Sequence, residues 1–379
     1  MEDRFAEIRP YRDNEVADVL ERLQADPELL DSLSGLRFGR IGVAFSRLLR
    51  PLVRWGLKRQ LADIVDVASM QTVVRGYMDK MIASTTAGFS TSGLESLDNG
   101  SYLFISNHRD IALDPAFTNY ALHRLGRQTC RIAIGDNLLS KPWISDLMRL
   151  NKSFIVKRSL PGPRQLLAAS RLLSDYIQSS IAEDGCPIWI AQREGRAKDG
   201  LDATEPAVIK MLMLARNKSE AFGISVGRLR IVPVSISYEL DPCDALKAHE
   251  LRSIARDGRY AKEEHEDAAS IAAGIAGAKG RVHIAFGEML GDSYETVQDV
   301  VNELDRQIEA NYLLHPTNIW AWQMLNPELS VPSNLNVSKG SISRRHFEQR
   351  MLAIPEDERD YALRTYANPC DKAIRACGD

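Results

Sequence analysis

The sequence predicts an α/β protein: a mixed, largely parallel sheet flanked by helices, with helical extensions at both ends of the chain. Short apolar runs of strand character recur along the middle of the chain, and segments with helical periodicity separate several of them. Strands that alternate with helices pair in parallel, because the intervening helix carries the chain back across the sheet. The 379 residues are 44% hydrophobic and 26% charged, which is usual for a chain with a substantial core.

The chain is predicted to contain three regions. Residues 1–84 are expected to form a helical N-terminal region, residues 85–290 the α/β domain, and residues 291–379 a helical C-terminal region. The strand-like runs all fall within the middle region, whereas the two ends carry mainly helical periodicity.

Strands and helices can be placed along the chain from their periodicity. Strands are predicted at residues 102–106, 131–134, 154–156, 187–191, 231–237 and 282–286. Helices are predicted at residues 61–85, 164–182, 207–215 and 294–314. The helix at 207–215 is expected to be capped by Thr204, with Pro206 in its first turn. Residues 88–100 are rich in glycine and serine, and they are predicted to form turns before the first strand.

The charge of the N-terminal region changes sign at residue 35. Residues 1–34 are acidic, whereas residues 35–60 contain seven basic residues and no acidic one. The basic residues are Arg37, Arg40, Arg47, Arg50, Arg54, Lys58 and Arg59. Apolar residues fill much of the remainder, and Pro51 is expected to interrupt or kink the run. This composition is typical of an amphipathic helix at a membrane surface; the alternative is a helix packed on the core with a solvated basic face.

Cysteine usage and hydropathy exclude several protein classes. The five cysteines are scattered and form no C-x-x-C pair, which argues against a disulfide framework or a zinc site and favours a reducing compartment. The N-terminus does not resemble a signal peptide, and no window approaches the ~18 uncharged apolar residues of a transmembrane helix. A membrane-spanning protein is therefore not expected. With the basic segment 35–60 as the contact, we expect a peripheral protein on the cytoplasmic side of a membrane, and no nucleic-acid partner.

Polar clusters follow several predicted strands, where α/β proteins place their active sites. His-Arg-Asp at 108–110 comes directly after the first strand, with Asp114 close behind. Lys-Arg at 157–158 and a basic segment at 192–198 follow two later strands. A neutral histidine accepts a proton from a hydroxyl when a carboxylate fixes its tautomer, and clustered arginine and lysine bind phosphate. The combination indicates transfer of a group onto the hydroxyl of a phosphorylated alcohol.

Four short sequence blocks occur in order within residues 85–240. They are Ser-Asn-His-Arg-Asp-Ile-Ala-Leu-Asp-Pro at 106–115, Gly-Asp-Asn at 135–137, Arg-Glu-Gly-Arg at 193–196 and Ile-Val-Pro-Val at 231–234. Together with Ser-Gly-Leu-Glu at 92–95, these blocks resemble those of the PlsC-like glycerolipid acyltransferases, the superfamily of lysophosphatidate and glycerol-phosphate acyltransferases.

The resemblance implies transfer of a fatty acyl group from a thioester to a hydroxyl without a covalent acyl-enzyme. The donor would be acyl-CoA or an acyl-carrier protein as co-substrate, and the acceptor glycerol phosphate or a lysophospholipid. No cofactor or metal ion is implied. His108 would be the general base. The substrate-binding residues implied are Asn107, Arg109, Lys157, Arg158, Arg193, Glu194, Gly195 and Arg196.

The first block departs from the family in one spacing. The family has His-x4-Asp, whereas here position 113 is leucine and Asp114 gives His-x5-Asp. Asp110 is the other candidate partner of His108. Asp114 is favoured, because one inserted residue in a turn is absorbed more easily than a reversed side-chain direction. The simpler structural interpretation of Asp114 is a helix N-cap before Pro115, and it could serve both purposes.

The third block also departs from the family, and this bears on the acceptor. Gln192 and Arg193 replace the usual phenylalanine and proline, which adds a cation, and Arg196 and Ala197 stand where threonine and arginine are usual. Two other functions stay open: an O- or N-acyltransferase on a non-glycerol lipid, and a non-catalytic lipid- or acyl-carrier-binding protein on the same scaffold.

Overall fold

The predicted α/β fold class is confirmed by a computed structural model, which describes residues 3–262 and 266–378. The strands are β1 (Thr86–Ser92), β2 (Leu103–Ser106), β3 (Arg131–Gly135), β4 (Ser153–Val156), β5 (Ile188–Ala191), β6 (Ile231–Tyr238) and β7 (Gly280–Phe286). The helices before β4 are α1 (Val16–Ala25), α2 (Pro27–Ala44), α3 (Ser46–Gln60), α4 (Val67–Thr85), α5 (Leu113–Arg124) and α6 (Pro142–Leu150). The later helices are α7 (Pro163–Ala182), α8 (Pro206–Leu212), α9 (Phe222–Arg228), α10 (Asp244–Asp257), α11 (Glu266–Ala276), α12 (Val297–Ala310), α13 (Pro316–Leu325), α14 (Arg344–Leu352) and α15 (Glu356–Gly378).

The chain divides into two compact units. Unit 1 comprises Met1–Tyr77 and Arg131–Tyr176, and unit 2 comprises Met78–Cys130 and Ile177–Asp379. The division into three regions at residues 84 and 290 stays a prediction.

Unit 1 contains the parallel pair β3–β4 and a helical core. Leu20 and Leu23 of α1 pack with Met70 of α4 and Leu150 of α6 in one buried cluster. In α1, the buried residues Val16, Val19, Leu20 and Leu23 recur at helical spacing, so this helix turns one apolar stripe toward the cluster.

The sheet of unit 2 has the strand order β1-β7-β6-β2-β5. The pairs β1–β7, β6–β2 and β2–β5 are parallel, and β6–β7 is antiparallel. Ser106, the last residue of β2, lies beside Ala191 of β5 and Val234 of β6. Because β2 and β5 end at the same edge, the segments that follow them leave the sheet side by side.

Buried strands were predicted correctly, and an edge strand was not. All six predicted strands are present, with ends that differ by one or two residues. Residues 88–92 were predicted to form turns, but they belong to β1, which pairs with β7. β1 lies at the end of the sheet and is partly exposed, so it lacks the continuous apolar run that marks the inner strands.

Three predicted helix features were wrong. The helix predicted from residue 207 is α8, which begins at Pro206 with Glu205 as its N-cap. Thr204 lies one residue before the N-cap, and its hydroxyl donates to Asp305 Oδ1 at 2.6 Å. Asp114 is not an N-cap, since α5 already begins at Leu113. Pro51 does not interrupt the basic run: α3 continues past it to Gln60, and the backbone leaves helical geometry at Gly39 of α2 instead.

No helix in the described part of the chain is both long enough and apolar enough to cross a bilayer.

Candidate active site

His108 and Asp114 form a hydrogen-bonded pair where β2 leads into α5. His108 Nδ1 lies 2.9 Å from Asp114 Oδ2, and Asp114 is fully buried while 14% of the His108 side chain is exposed. The indole of Trp189, in β5, packs edge-on against the imidazole with ring centroids 5.9 Å apart. An Nδ1–H bonded to the carboxylate leaves Nε2 with its lone pair, which is the tautomer that a general base requires.

The carboxylate of Asp114 is held by donors from several directions. Its Oδ2 accepts from the backbone N–H of Arg109 at 2.6 Å and of Asp110 at 2.9 Å. Its Oδ1 accepts from the buried hydroxyl of Tyr238, at the end of β6, at 2.7 Å. Burial and the negative charge of Asp114 raise the pKa of Tyr238, so this hydroxyl remains a donor. The imidazole therefore faces a carboxylate with one fixed orientation.

Asp110 has a different role in the same turn. Its Oδ1 accepts from the backbone N–H of Ala112 at 3.0 Å and of Leu113 at 2.9 Å, which satisfies donors at the start of α5. Burial, and then the nearby charge of Asp114, raises the pKa of Asp110. Asp110 thus stabilises the turn that contains the inserted residue, and this turn lets Asp114 reach His108.

Asn107 and Arg109, on either side of His108, point into the interior. The Asn107 amide bonds both the N–H and the C=O of Ile236, at 2.8 and 3.0 Å. Arg109 Nη2 donates to Asp202 Oδ2 at 2.6 Å, and its guanidinium lies 5.5 Å from the ring centroid of Tyr312. Both side chains are buried, so their contact with substrate stays a prediction.

The segment after β5 lies against the His108 segment. The backbone N–H of Ala197 donates to the carbonyl of His108 at 2.8 Å. Gly195, with φ of 73°, supplies the left-handed residue that this turn requires. Glu194 is exposed, and its backbone N–H donates to Glu205 at 3.3 Å. The third block is therefore beside the candidate base.

Two arginines of this segment have unsatisfied buried donors. Arg193 Nε and Arg196 Nη1 are buried and have no hydrogen-bond partner among the described residues. Arg193 Nε lies 4.0 Å from Glu205 Oε1, which is an ion pair but too long for a hydrogen bond. A buried N–H without an acceptor is costly, and an anionic ligand would satisfy it.

Lys157 and Arg158 lie in unit 1, directly after β4. Lys157 forms an ion pair with Glu7. The backbone N–H of Arg158 donates to Asp136 of the second block at 3.1 Å. The contribution of Lys157 and Arg158 to substrate binding stays a prediction.

Two residues of the site had no signal in the sequence. Tyr238 ends a strand that was recognised only by its apolar run, and Asp202 follows the third block at no characteristic spacing. Their roles depend on contacts with Asp114 and Arg109, which are about 90 to 130 residues away along the chain.

Comparison with known proteins agrees with the block pattern. The acyltransferase family model matches residues 88–237. No curated protein sequence gave a significant match. Among solved structures, the 1-acyl-sn-glycerophosphate (LPA) acyltransferase PlsC from Thermotoga maritima aligns with 76% of this chain and 99% of its own, at 14% identity and a TM-score of 0.38. The family match confirms the resemblance seen in the blocks: residues 88–237 are similar to the acyltransferase family.

Proposed function

We propose that the protein transfers a fatty acyl group from a thioester, on CoA or an acyl-carrier protein, to a hydroxyl of glycerol phosphate or a lysophospholipid. The observation that carries this proposal is the His108–Asp114 pair, hydrogen-bonded and oriented beside a loop with unsatisfied arginine donors. The family match supports acyl transfer, and the arginines support a phosphorylated acceptor.

The chemistry follows from the orientation of the imidazole. His108 Nε2 accepts the proton of the acceptor hydroxyl while that oxygen attacks the thioester carbonyl carbon. Asp114 stabilises the imidazolium that forms. The tetrahedral intermediate then collapses, the C–S bond breaks, and the leaving thiolate takes the proton from the imidazolium. The products are an ester and a free thiol, and His108 returns to its starting state.

The proposal is tested with a panel of donors and acceptors. The purified protein is incubated with acyl-CoA or acyl-carrier protein and with glycerol phosphate, lysophospholipids, a monoacylglycerol and an amino-lipid, and the products are identified by mass. We expect thiol release together with an acylated phosphorylated acceptor. Acylation of only the phosphate-free acceptors would support the alternative lipid acyltransferase, and binding of the donor without any turnover would support the non-catalytic alternative.

The arginines of the third block are expected to determine acceptor affinity. Replacement of Arg193 or Arg196 by glutamine removes a charge-assisted hydrogen bond to phosphate, which contributes about 1.5–3 kcal/mol. KM for a phosphorylated acceptor should therefore rise roughly 10- to 100-fold, while kcat changes little.

The matched control is Arg228→Gln, because Arg228 is exposed and pairs only with Glu220 in the described contacts. Steady-state kinetics with lysophosphatidate measure the difference. An unchanged KM for lysophosphatidate in both Arg193→Gln and Arg196→Gln would show that these arginines do not bind the acceptor's phosphate.

We also propose that α2 and α3 hold the protein on an anionic lipid surface, on the cytoplasmic side of the membrane. Large apolar side chains of this region are unusually exposed, among them Leu36, Ile41, Leu48 and Trp55. The exposed fraction is 77% for Leu48 and 62% for Trp55. Exposed apolar residues that lie among basic ones match the interface of an anionic bilayer, which the cytoplasmic leaflet provides.

The basic residues of α3 supply the matching charge. Arg47, Arg54 and Lys58 are exposed, whereas Arg50 forms an ion pair with Asp31. Each basic residue near an anionic surface contributes about 1 kcal/mol. The attraction therefore has an apolar part, insensitive to salt, and an ionic part that salt screens.

Liposome flotation separates the two parts. Leu48→Asn with Trp55→Asn should reduce flotation with anionic vesicles at low and high salt, and Arg47→Gln with Arg54→Gln should reduce it at low salt. Leu329→Asn, at another exposed leucine, is the control and should float like the wild type. Equal flotation of all variants would refute the surface assignment.

A further inference from the structure

Helix α15 is bound to the third-block loop, defined as residues 193–204, through three side chains. Thr365 Oγ1 donates to the Lys198 carbonyl at 2.7 Å, Asn368 Nδ2 to the Asp199 carbonyl at 2.7 Å, and Lys372 Nζ to the Asp202 carbonyl at 2.6 Å. The helical positions are three and four residues apart, so the three donors share one face of α15. That face follows the backbone of the loop.

The helix backbone also contacts the loop directly at Gly200. A Cβ placed there would lie 2.3 Å from the Thr365 carbonyl oxygen, and Gly200 has φ of +79°. Residue 369 is proline, which has no N–H to donate to that carbonyl within the helix. The loop and helix are therefore packed so closely that no side chain fits at position 200.

The same loop is connected to the candidate base. Arg109, the neighbour of His108, donates to the Gly200 carbonyl at 3.2 Å and to Asp202 at 2.6 Å. Arg109 is itself buried, so these contacts are shielded from water. Helix α15, the loop and the His108 segment thus form one hydrogen-bonded network, although α15 lies outside residues 88–237, which match the acyltransferase family.

We propose that Thr365, Asn368 and Lys372 are positioning residues for acceptor binding: they fix the third-block loop, and with it Arg193 and Arg196, in the conformation that receives the acceptor's phosphate. This inference rests on the proposed function. A loop held in its binding conformation before the acceptor arrives loses less conformational entropy on binding. Loss of the contacts with α15 should therefore raise KM for the acceptor and leave kcat nearly unchanged.

Asn368→Ala and Lys372→Met test the proposal, each compared with Arg375→Ala on the same helix. Arg375 is exposed and pairs with Asp371 one turn away. Loss of one loop contact should raise KM for lysophosphatidate about 3- to 10-fold with kcat nearly unchanged, as expected for a typical hydrogen bond. KM for a monoacylglycerol should change less, because its binding does not require the arginines.

Hydrogen–deuterium exchange of the substrate-free protein supplies a second readout. Backbone amides of residues 193–204 should exchange faster in Asn368→Ala and Lys372→Met than in wild type or Arg375→Ala, while β2 and β6 keep their protection. A lower melting temperature with unchanged loop exchange and unchanged KM would show that α15 only stabilises the fold, and would overturn the proposal. If the wild type acylates no phosphorylated acceptor, the proposed function fails, and the exchange data still decide whether α15 orders the loop.

Discussion

Replacement of His108 by alanine is expected to lower kcat for acyl transfer about 10²- to 10⁴-fold, because the acceptor hydroxyl then has no base to take its proton. His108 lies after the last residue of β2, so its removal breaks the contacts with Asp114 and Trp189 but no pairing between strands. Thiol release from acyl-CoA and the mass of the ester product measure the loss.

The control for this variant is His346→Ala, since His346 is exposed on α14. Both variants should show the wild-type circular dichroism spectrum and a similar melting temperature. Turnover of His108→Ala within a few-fold of wild type would mean that another group deprotonates the acceptor.

The two aspartates near His108 are expected to differ sharply when each is replaced by asparagine. Asp114→Asn removes the charge that stabilises the imidazolium and offers an N–H to His108 Nδ1, so kcat should fall about 10²-fold or more. Asp110→Asn keeps an oxygen that can accept from Ala112 and Leu113, so kcat should stay within about tenfold of wild type. Equal losses in the two variants would contradict the assignment of Asp114 as the partner of His108.

Thermal unfolding at several pH values provides an independent check on Asp110. Burial raises its pKa in the folded protein above the usual 3.8, so the protonated form favours folding and the charged form opposes it. Wild type should therefore lose stability relative to Asp110→Asn as pH rises from about 3.8 through the higher pKa of the folded state. A difference in melting temperature that is independent of pH would show that Asp110 is not buried as a carboxyl group.

The sequence predicted the parts of the fold and site that depend on local pattern. The apolar runs of β2, β5 and β6 identify buried strands, because a strand covered on both faces needs apolar residues at nearly every position. The first block likewise placed His108 at the end of a strand. These features can be recognised from neighbouring residues alone.

The remaining features depend on partners far away in the chain. β1 is a strand because Thr86 and the residues after it pair with β7, which begins at Gly280. Thr204 does not cap α8 because the helix begins one residue later, with Glu205 as its N-cap, and the Thr204 backbone N–H and hydroxyl both donate to Asp305. One exception is local: the choice between Asp110 and Asp114 depends on the backbone path of a single turn, which the spacing left open. The contacts of α15 with the third-block loop span about 170 residues, and no local pattern indicates them.

In the proposed reaction, the protein transfers an acyl group to an acceptor that it recognises by its phosphate. Competition between lysophosphatidate and a monoacylglycerol of the same chain length, in one reaction with acyl-CoA, tests it most directly when both products are quantified by mass. We expect the phosphorylated product to exceed the other by about tenfold or more, since charge-assisted hydrogen bonds to Arg193 and Arg196 distinguish the two acceptors. Equal acylation of the two, or faster acylation of the monoacylglycerol, would contradict it.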